Sequence, residues 1–325
     1  MNRLEWSDPT TLPDALAQLG PASVPKAGGV DLMDLLKEGL VAPSRLVNLR
    51  KLPGLDRVQD AAAGGVRIGP LVTLAALADH AVVRARYRAL ADAAAHAATP
   101  QIRNMATVGG NLLQRPRCWY LRSEAFECRR KGGAHCFAQQ GENAYHAVFA
   151  HTACCAVHPS SLATALLALG ASVELTSRRG VRAVALEQFF TPAETVTVRD
   201  TVREDDELVT DVVLPALASG ATSAYGKQAE KESYDWPLAE VAVVLERAGN
   251  QCTRASVVLG AVAPVPWRAR AAEATLVGRA VDATSAGDAG RAALQGAVPL
   301  RDNGYKLPLI EVAVRRAVLA AVEAS

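Results

Sequence analysis

The sequence predicts an α+β fold with mixed sheets, and three observations carry that expectation. Over the first two-thirds of the chain, helical periodicity alternates with short extended runs. Two glycine pairs, in "KAGGVD" and "TVGGN", interrupt that rhythm. From about Ala221 the texture changes to apolar strand-like runs followed by alanine-rich helices. A chain of 325 residues, half of them hydrophobic and 21% charged, has material for a large core and two or three lobes.

The elements follow in order. "TTLPDALAQLG" predicts a first helix: Thr11 can cap it, Pro13 sits in its first turn, and Leu12, Ala15, Leu16 and Leu19 share one face. "SVPKAGGVDLMDLLKEG" reads as an extended piece, a glycine pair and a helix closed by Gly39. "VRIGPLVTLAAL" reads as strand, turn and helix start, and "RALADAAAHAATP" as an alanine-rich helix ended near Pro100. In "SSLATALLALGASVELT" a helix closed by Gly170 passes into a strand with Val173 and Leu175 on one side. "ELVTDVVLP" is a further strand, "EVAVVLERA" suits helix or strand, and "RASVVLGAV" is a strand. The boundary between domains falls where Pro, Ala, Ser and Gly cluster, giving 1–218 and 219–325.

Net charge is +2, from 35 basic and 33 acidic residues, which argues against nucleic-acid or membrane-surface binding. No apolar run reaches the roughly 18–20 residues of a membrane-spanning helix, and the N-terminus lacks a signal-peptide core. A reduced intracellular chain with clustered cysteines points to metal or redox chemistry before disulfides.

Five of the six cysteines and four of the six histidines fall between Arg117 and Pro159. Cys118, Cys128, Cys136 and then Cys154 or Cys155 leave gaps of nine, seven and seventeen residues. Zinc knuckles of the C-x₂₋₄-C kind and the ferredoxin run are both absent. Wide gaps suit a loop wrapped around an iron–sulfur cube, and Arg115, Arg117, Arg122, Arg129, Arg130 and Lys131 would stabilise its negative charge. Inert buried thiols and a catalytic thiol are the other readings, and spacing alone does not separate iron–sulfur from zinc. His135, His146, His151 and His158 are not assigned as ligands.

The glycine pairs let backbone approach a phosphate closely, although a plain tight turn is the better explanation of each taken alone. Neither G-x-G-x-x-G nor a P-loop is present, so any nucleotide site is of another design.

"PKAGGVDLMDLLK", "RIGPLVTLAAL", "TPQIRNMATVGGNLLQ", "AVHPSSLATALLALGA", "AYGKQAEKESYDWPLAEVAV" and "LRDNGYKLPL" together resemble, in order, the motifs of the FAD-binding subunit of the molybdenum hydroxylases, the xanthine dehydrogenase and aldehyde oxidoreductase family. The insertion at about 114–156 resembles the branch with an extra [4Fe–4S] cluster. The resemblance implies a two-lobed FAD-binding domain of the vanillyl-alcohol-oxidase type and a smaller C-terminal α+β domain. It implies that Lys26, Ala27, Gly28, Gly29, Val30 and Asp31 hold the FAD pyrophosphate, with Thr107, Gly109, Gly110 and Asn111 as the second wall. Lys227 matches a lysine near the flavin, where a cation favours the anionic reduced form; a solvated lysine is its plainer reading. Ser161 stands where the family's "HPSD" has an aspartate. The implied cluster ligands are Cys118, Cys128, Cys136 and Cys154, with Cys155 as an ambiguous neighbour of the last.

By this resemblance the chain transfers electrons and does not touch the organic substrate. A large subunit with the molybdenum cofactor and a small [2Fe–2S] subunit would complete a heterotrimer or its multiple, in the cytoplasm or co-exported to the periplasm. The alternatives are a 4-hydroxybenzoyl-CoA reductase-type complex with reversed electron flow, a zinc-bearing nucleotide-binding module, and a stand-alone flavin oxidase.

Overall fold

The computed structural model describes residues 4–191, 198–231 and 234–324. The first sheet is parallel, in the order β1 (Glu5–Ser7), β3 (Arg45–Asn48), β2 (Ser23–Lys26). Parallel neighbours need crossover connections, and the helices Leu12–Ala17 and Val30–Lys37 supply them. The first begins where the Thr11 hydroxyl accepts a 3.3 Å bond from Asp14 N, and buries Ala15 and Leu16 against Val47 and Leu49.

The second sheet contains β4 (Val58–Asp60), β5 (Val66–Ile68), β6 (Ser172–Ser177), β7 (Gly180–Ala185) and β8 (Leu208–Leu214). Its order is β4-β5-β8-β6-β7, antiparallel throughout. Val173 and Leu175 are fully buried beneath the helices Leu74–Asp79, Arg88–Ala95 and Ser161–Ala168. The alanine-rich helix stops at Ala95, earlier than expected, and Pro100 instead opens a new helix, Pro100–Met105. Proline's fixed φ and missing N–H suit a first helical position, and the Thr99 hydroxyl caps that helix at Ile102 N.

The third sheet is antiparallel: β9 (Thr222–Gln228), β10 (Ala239–Ala248), β11 (Gln251–Gly260) and β12 (Trp267–Arg268), in the order β12-β11-β10-β9. "EVAVVLERA" lies in β10. Val241, Val243 and Leu245 pack in the core shared with the helices Arg270–Leu276, Ala283–Ala292 and Lys306–Glu323, while Ala242 and Val244 join the core of the second sheet. A strand buried on both faces loses its polar alternation, which is why its sequence suits helix or strand alike. Parallel and antiparallel pairing thus both occur, each in its own sheet.

The cysteine segment folds over a small cluster of Tyr120, Ala138 and Cys155, flanked by Trp119 and Phe126. "LRDNGYKLPL" clamps it: Asn303 Nδ2 donates to the His146 and Ala147 carbonyls, each at 3.1 Å. Among the described residues no helix is long and apolar enough to cross a membrane.

Candidate functional site

A cleft of about 860 Å³ opens where the turn after β2, the short helix Val108–Leu112 and β9 meet. Ala27, Gly28, Gly29, Val30, Asp31, Thr107, Gly109, Gly110, Asn111, Ser161 and Lys227 all line it. The two glycine pairs, 81 positions apart in the chain, therefore line one cavity. A Cβ on Gly28 would lie 1.9 Å from the Met105 carbonyl oxygen, so the backbones of the two walls touch. Gly29 adopts φ +82° and begins the helix Val30–Lys37, which no side chain caps. Lys26 stands apart from the lining, its ammonium 5.6 Å from the centre of the Trp6 ring.

The second wall is held by local caps. The Thr107 hydroxyl accepts from Gly110 N at 3.2 Å, and Ser160 Oγ donates to Asn111 Oδ1 at 2.6 Å. Asp31 is committed to the protein: Oδ1 accepts from Arg117 and Arg122 at 3.0 and 2.8 Å, and Oδ2 from Arg115 N at 2.9 Å. Its side chain ties the cleft wall to the start of the cysteine segment.

Ser161 opens the helix Ser161–Ala168 and donates its hydroxyl hydrogen to Glu240 on β10. Glu240 is 2% exposed, and the same carboxylate oxygen accepts from Tyr225 at 2.8 Å. Burial raises the pKa of Glu240, opposed by its hydroxyl donors and by Lys227. Lys227 faces Glu240 across the β9–β10 pairing and donates to the His96 carbonyl at 3.1 Å; burial lowers its pKa and Glu240 counteracts this. Lys227 is half-buried, and its bond to His96 is open to solvent.

An extended flavin dinucleotide fits these residues. An uncapped helix N-terminus faces one side and favours anions, glycines keep the walls free of side chains, and the volume lies in the range of cofactor pockets.

In the cysteine segment Cys118, Cys136, Cys154 and Cys155 converge. Cys136 Sγ accepts from Cys155 N at 3.4 Å. Burial chiefly pushes the Cys118 thiol up to about 12, with Cys154 and Cys136 adding to the effect. Cys128 is also buried, and its backbone bridges to His135. Arg130, itself buried, donates to Cys154 Sγ at 3.1 Å and pairs with Asp200. His146 Nε2 lies 3.2 Å from Cys118 Sγ; burial, then Lys306, pushes its pKa down to about 4. Among the described residues no group of three or more His, Cys, Asp or Glu side chains is arranged around a single metal ion. The donor chemistry, soft sulfurs beside a buried guanidinium, nevertheless suits a thiolate-bound cluster.

Sequence reasoning missed Glu240 as a site residue, named Arg130 without singling it out, and left His146 unassigned. Glu240 had a signal, a single carboxylate beginning the apolar run "EVAVVL". Arg130 was one cation among six, and His146 one histidine among four.

Residues 2–217 match the FAD binding domain in molybdopterin dehydrogenase, and residues 224–321 the CO dehydrogenase flavoprotein C-terminal domain. The chain belongs to the FAD-binding medium subunits of the molybdenum hydroxylase family and is an oxidoreductase subunit. It is 38% identical over 263 residues to the aldehyde oxidoreductase FAD-binding subunit PaoB of Escherichia coli (strain K12), covering 80% of this chain and 81% of that protein. It is 28% identical over 327 residues to the carbon monoxide dehydrogenase medium chain of Hydrogenophaga pseudoflava, covering 98% and 97%. Among solved structures, the reconstituted CO dehydrogenase from Oligotropha carboxidovorans superposes with a TM-score of 0.79 at 27% identity, covering 100% of this chain and 99% of that one.

Proposed function

We propose that this chain is the FAD- and [4Fe–4S]-carrying electron-transfer subunit of a molybdenum-dependent aldehyde oxidoreductase. The observation that carries the reading is the meeting of both glycine pairs in one cleft, joined through Asp31 and Arg115 to a sulfur-rich segment. FAD, when bound, supplies the redox chemistry, linking one-electron and two-electron partners. The protein's part is positional. The backbone of Ala27, Gly28, Gly29, Val30 and Asp31 receives the pyrophosphate, and Lys26 adds positive charge behind that turn. Thr107, Gly109, Gly110 and Asn111 form the facing wall, while Ser161 and Lys227 lie along the third side. Cys118, Cys128, Cys136 and Cys154 hold the iron, and Arg130 balances the thiolate charge. A large molybdenum-cofactor subunit and a small [2Fe–2S] subunit complete the assembly, with residues 1–218 and 219–325 as this chain's two domains. The 38% identity to an aldehyde oxidoreductase subunit supports the choice of complex over a hydroxybenzoyl-CoA reductase.

The test is cofactor analysis of protein purified without oxygen together with its partner subunits. About one FAD and about four iron atoms per chain, with a cluster signal by electron paramagnetic resonance, are expected. Iron should fall in Cys118→Ser and Cys154→Ser and persist in Cys155→Ser. FAD without iron removes the cluster from the proposal; zinc without flavin overturns the whole of it.

A further inference from the structure

A hydroxyl has one hydrogen and two lone pairs, so the direction of that hydrogen decides what the group offers to a ligand. Ser161 lines the cleft, and its hydrogen goes to Oε1 of Glu240, a residue that does not line it. Among the described residues no hydrogen bond is donated to Ser161 Oγ, although the Tyr225 hydroxyl, on the same Glu240 oxygen, also interacts with it. Glu240 does not line the cleft; β10 carries it on the strand face of Ala242 and Val244, directly across from Lys227, which does. Tyr225 donates to the same oxygen, and Thr164 donates to the other at 3.4 Å. Gly260 is shaped to this arrangement: a Cβ there would lie 2.5 Å from Oε2 of Glu240. A carboxylate 2% exposed is costly unless its partners are fixed, and here three hydroxyls and the facing Lys227 fix them.

We propose that Glu240 is a positioning residue for the flavin site: it holds the Ser161 hydrogen away from the cleft, so that Ser161 meets FAD only as a hydrogen-bond acceptor. The pair Ser161–Glu240 then presents to the cofactor what a carboxylate at position 161 would present, without placing a charge in the cleft. This rests on the FAD reading above. Glu240 touches neither cofactor nor substrate and acts through the serine alone. In Glu240→Gln the amide can donate to Ser161, and the serine hydrogen is free to turn into the cleft.

The test measures FAD dissociation from the intact chain, after removal of flavin and titration followed by fluorescence. Glu240→Gln and Ser161→Ala are each expected to weaken FAD about tenfold or more, because a donor on the cofactor loses its buried partner. In the Ser161→Ala background Glu240→Gln should add no further loss. Ser161→Asp with Glu240→Gln should bring affinity back to within about threefold of the parent, since the acceptor is then on residue 161 itself. A merely structural Glu240 would not be rescued from position 161. Unchanged affinity in Glu240→Gln, additive losses, or no rescue overturns the inference while the flavin reading stands. If Glu240→Gln does not fold, Ser161→Ala decides alone: parent-like affinity there is equally fatal. A parent chain that takes up no FAD removes the flavin reading itself, and this inference with it.

Discussion

At the scale of single residues the cleft depends on what is missing at Gly28. The Cβ of an alanine would meet the Met105 carbonyl at 1.9 Å, and backbone oxygen cannot turn aside as a side chain can. Gly28→Ala must separate the two walls, so we expect a stability loss of about 1–3 kcal/mol, the usual size of overpacking, together with release of flavin. Thermal melting of the flavin-free chain and bound FAD per chain measure the two effects separately. Parent-like values of both would mean that the walls do not touch at this point. Asp31 illustrates the opposite case, a charged side chain in the cleft wall whose three donors all come from the protein.

At the scale of elements, the short helix Val108–Leu112 has a single side-chain cap at its start, the Thr107 hydroxyl on Gly110 N. Loss of such a cap costs about 1 kcal/mol, so Thr107→Ala should lower stability by that amount and weaken FAD, and Thr107→Ser should restore both. Equal FAD affinity in all three proteins would show that this helix start does not shape the site. Elements of this kind were legible in the sequence, because caps, glycine closures and 3.6-residue periodicity act within a few positions: Thr11, Gly39 and Gly170 each ended or began a helix as read. β10 was only half legible. Its two faces are buried by cores whose other members lie far away in the chain, and no local pattern records that. The same distance hid Glu240, whose partners Ser161 and Tyr225 lie 79 and 15 positions away. The glycine pairs and the cysteines could be singled out by composition; that the pairs share one cavity was implied by the family resemblance alone, and no local pattern of residues records it.

At the scale of the whole molecule, Lys306 joins parts that the chain keeps apart. It opens the long C-terminal helix, is fully buried, and donates to the Ala261 carbonyl at 3.0 Å and to the Tyr145 carbonyl at 3.3 Å. One ammonium thereby ties the C-terminal helix, the end of β11 and the cysteine segment together. Burial pushes its pKa down to about 7 from an ordinary 10.5, and this gives the connection a pH dependence of definite sign. Between those values the unfolded chain binds a proton that the folded chain does not, so unfolding free energy rises with pH across that window. The slope approaches about 1.4 kcal/mol per pH unit for a single proton and vanishes below the folded pKa, where both states are charged. Lys306→Met keeps much of the length and removes the proton. Denaturant unfolding of parent and variant at intervals from neutral pH to about pH 10 isolates this group, because His146, whose pKa Lys306 helps to lower to about 4, titrates below that range. The difference, parent minus variant, should climb steadily toward alkaline pH. A difference that stays flat, or falls, would show that the lysine remains charged inside the protein, its ammonium stabilised by the two carbonyls against the cost of burial.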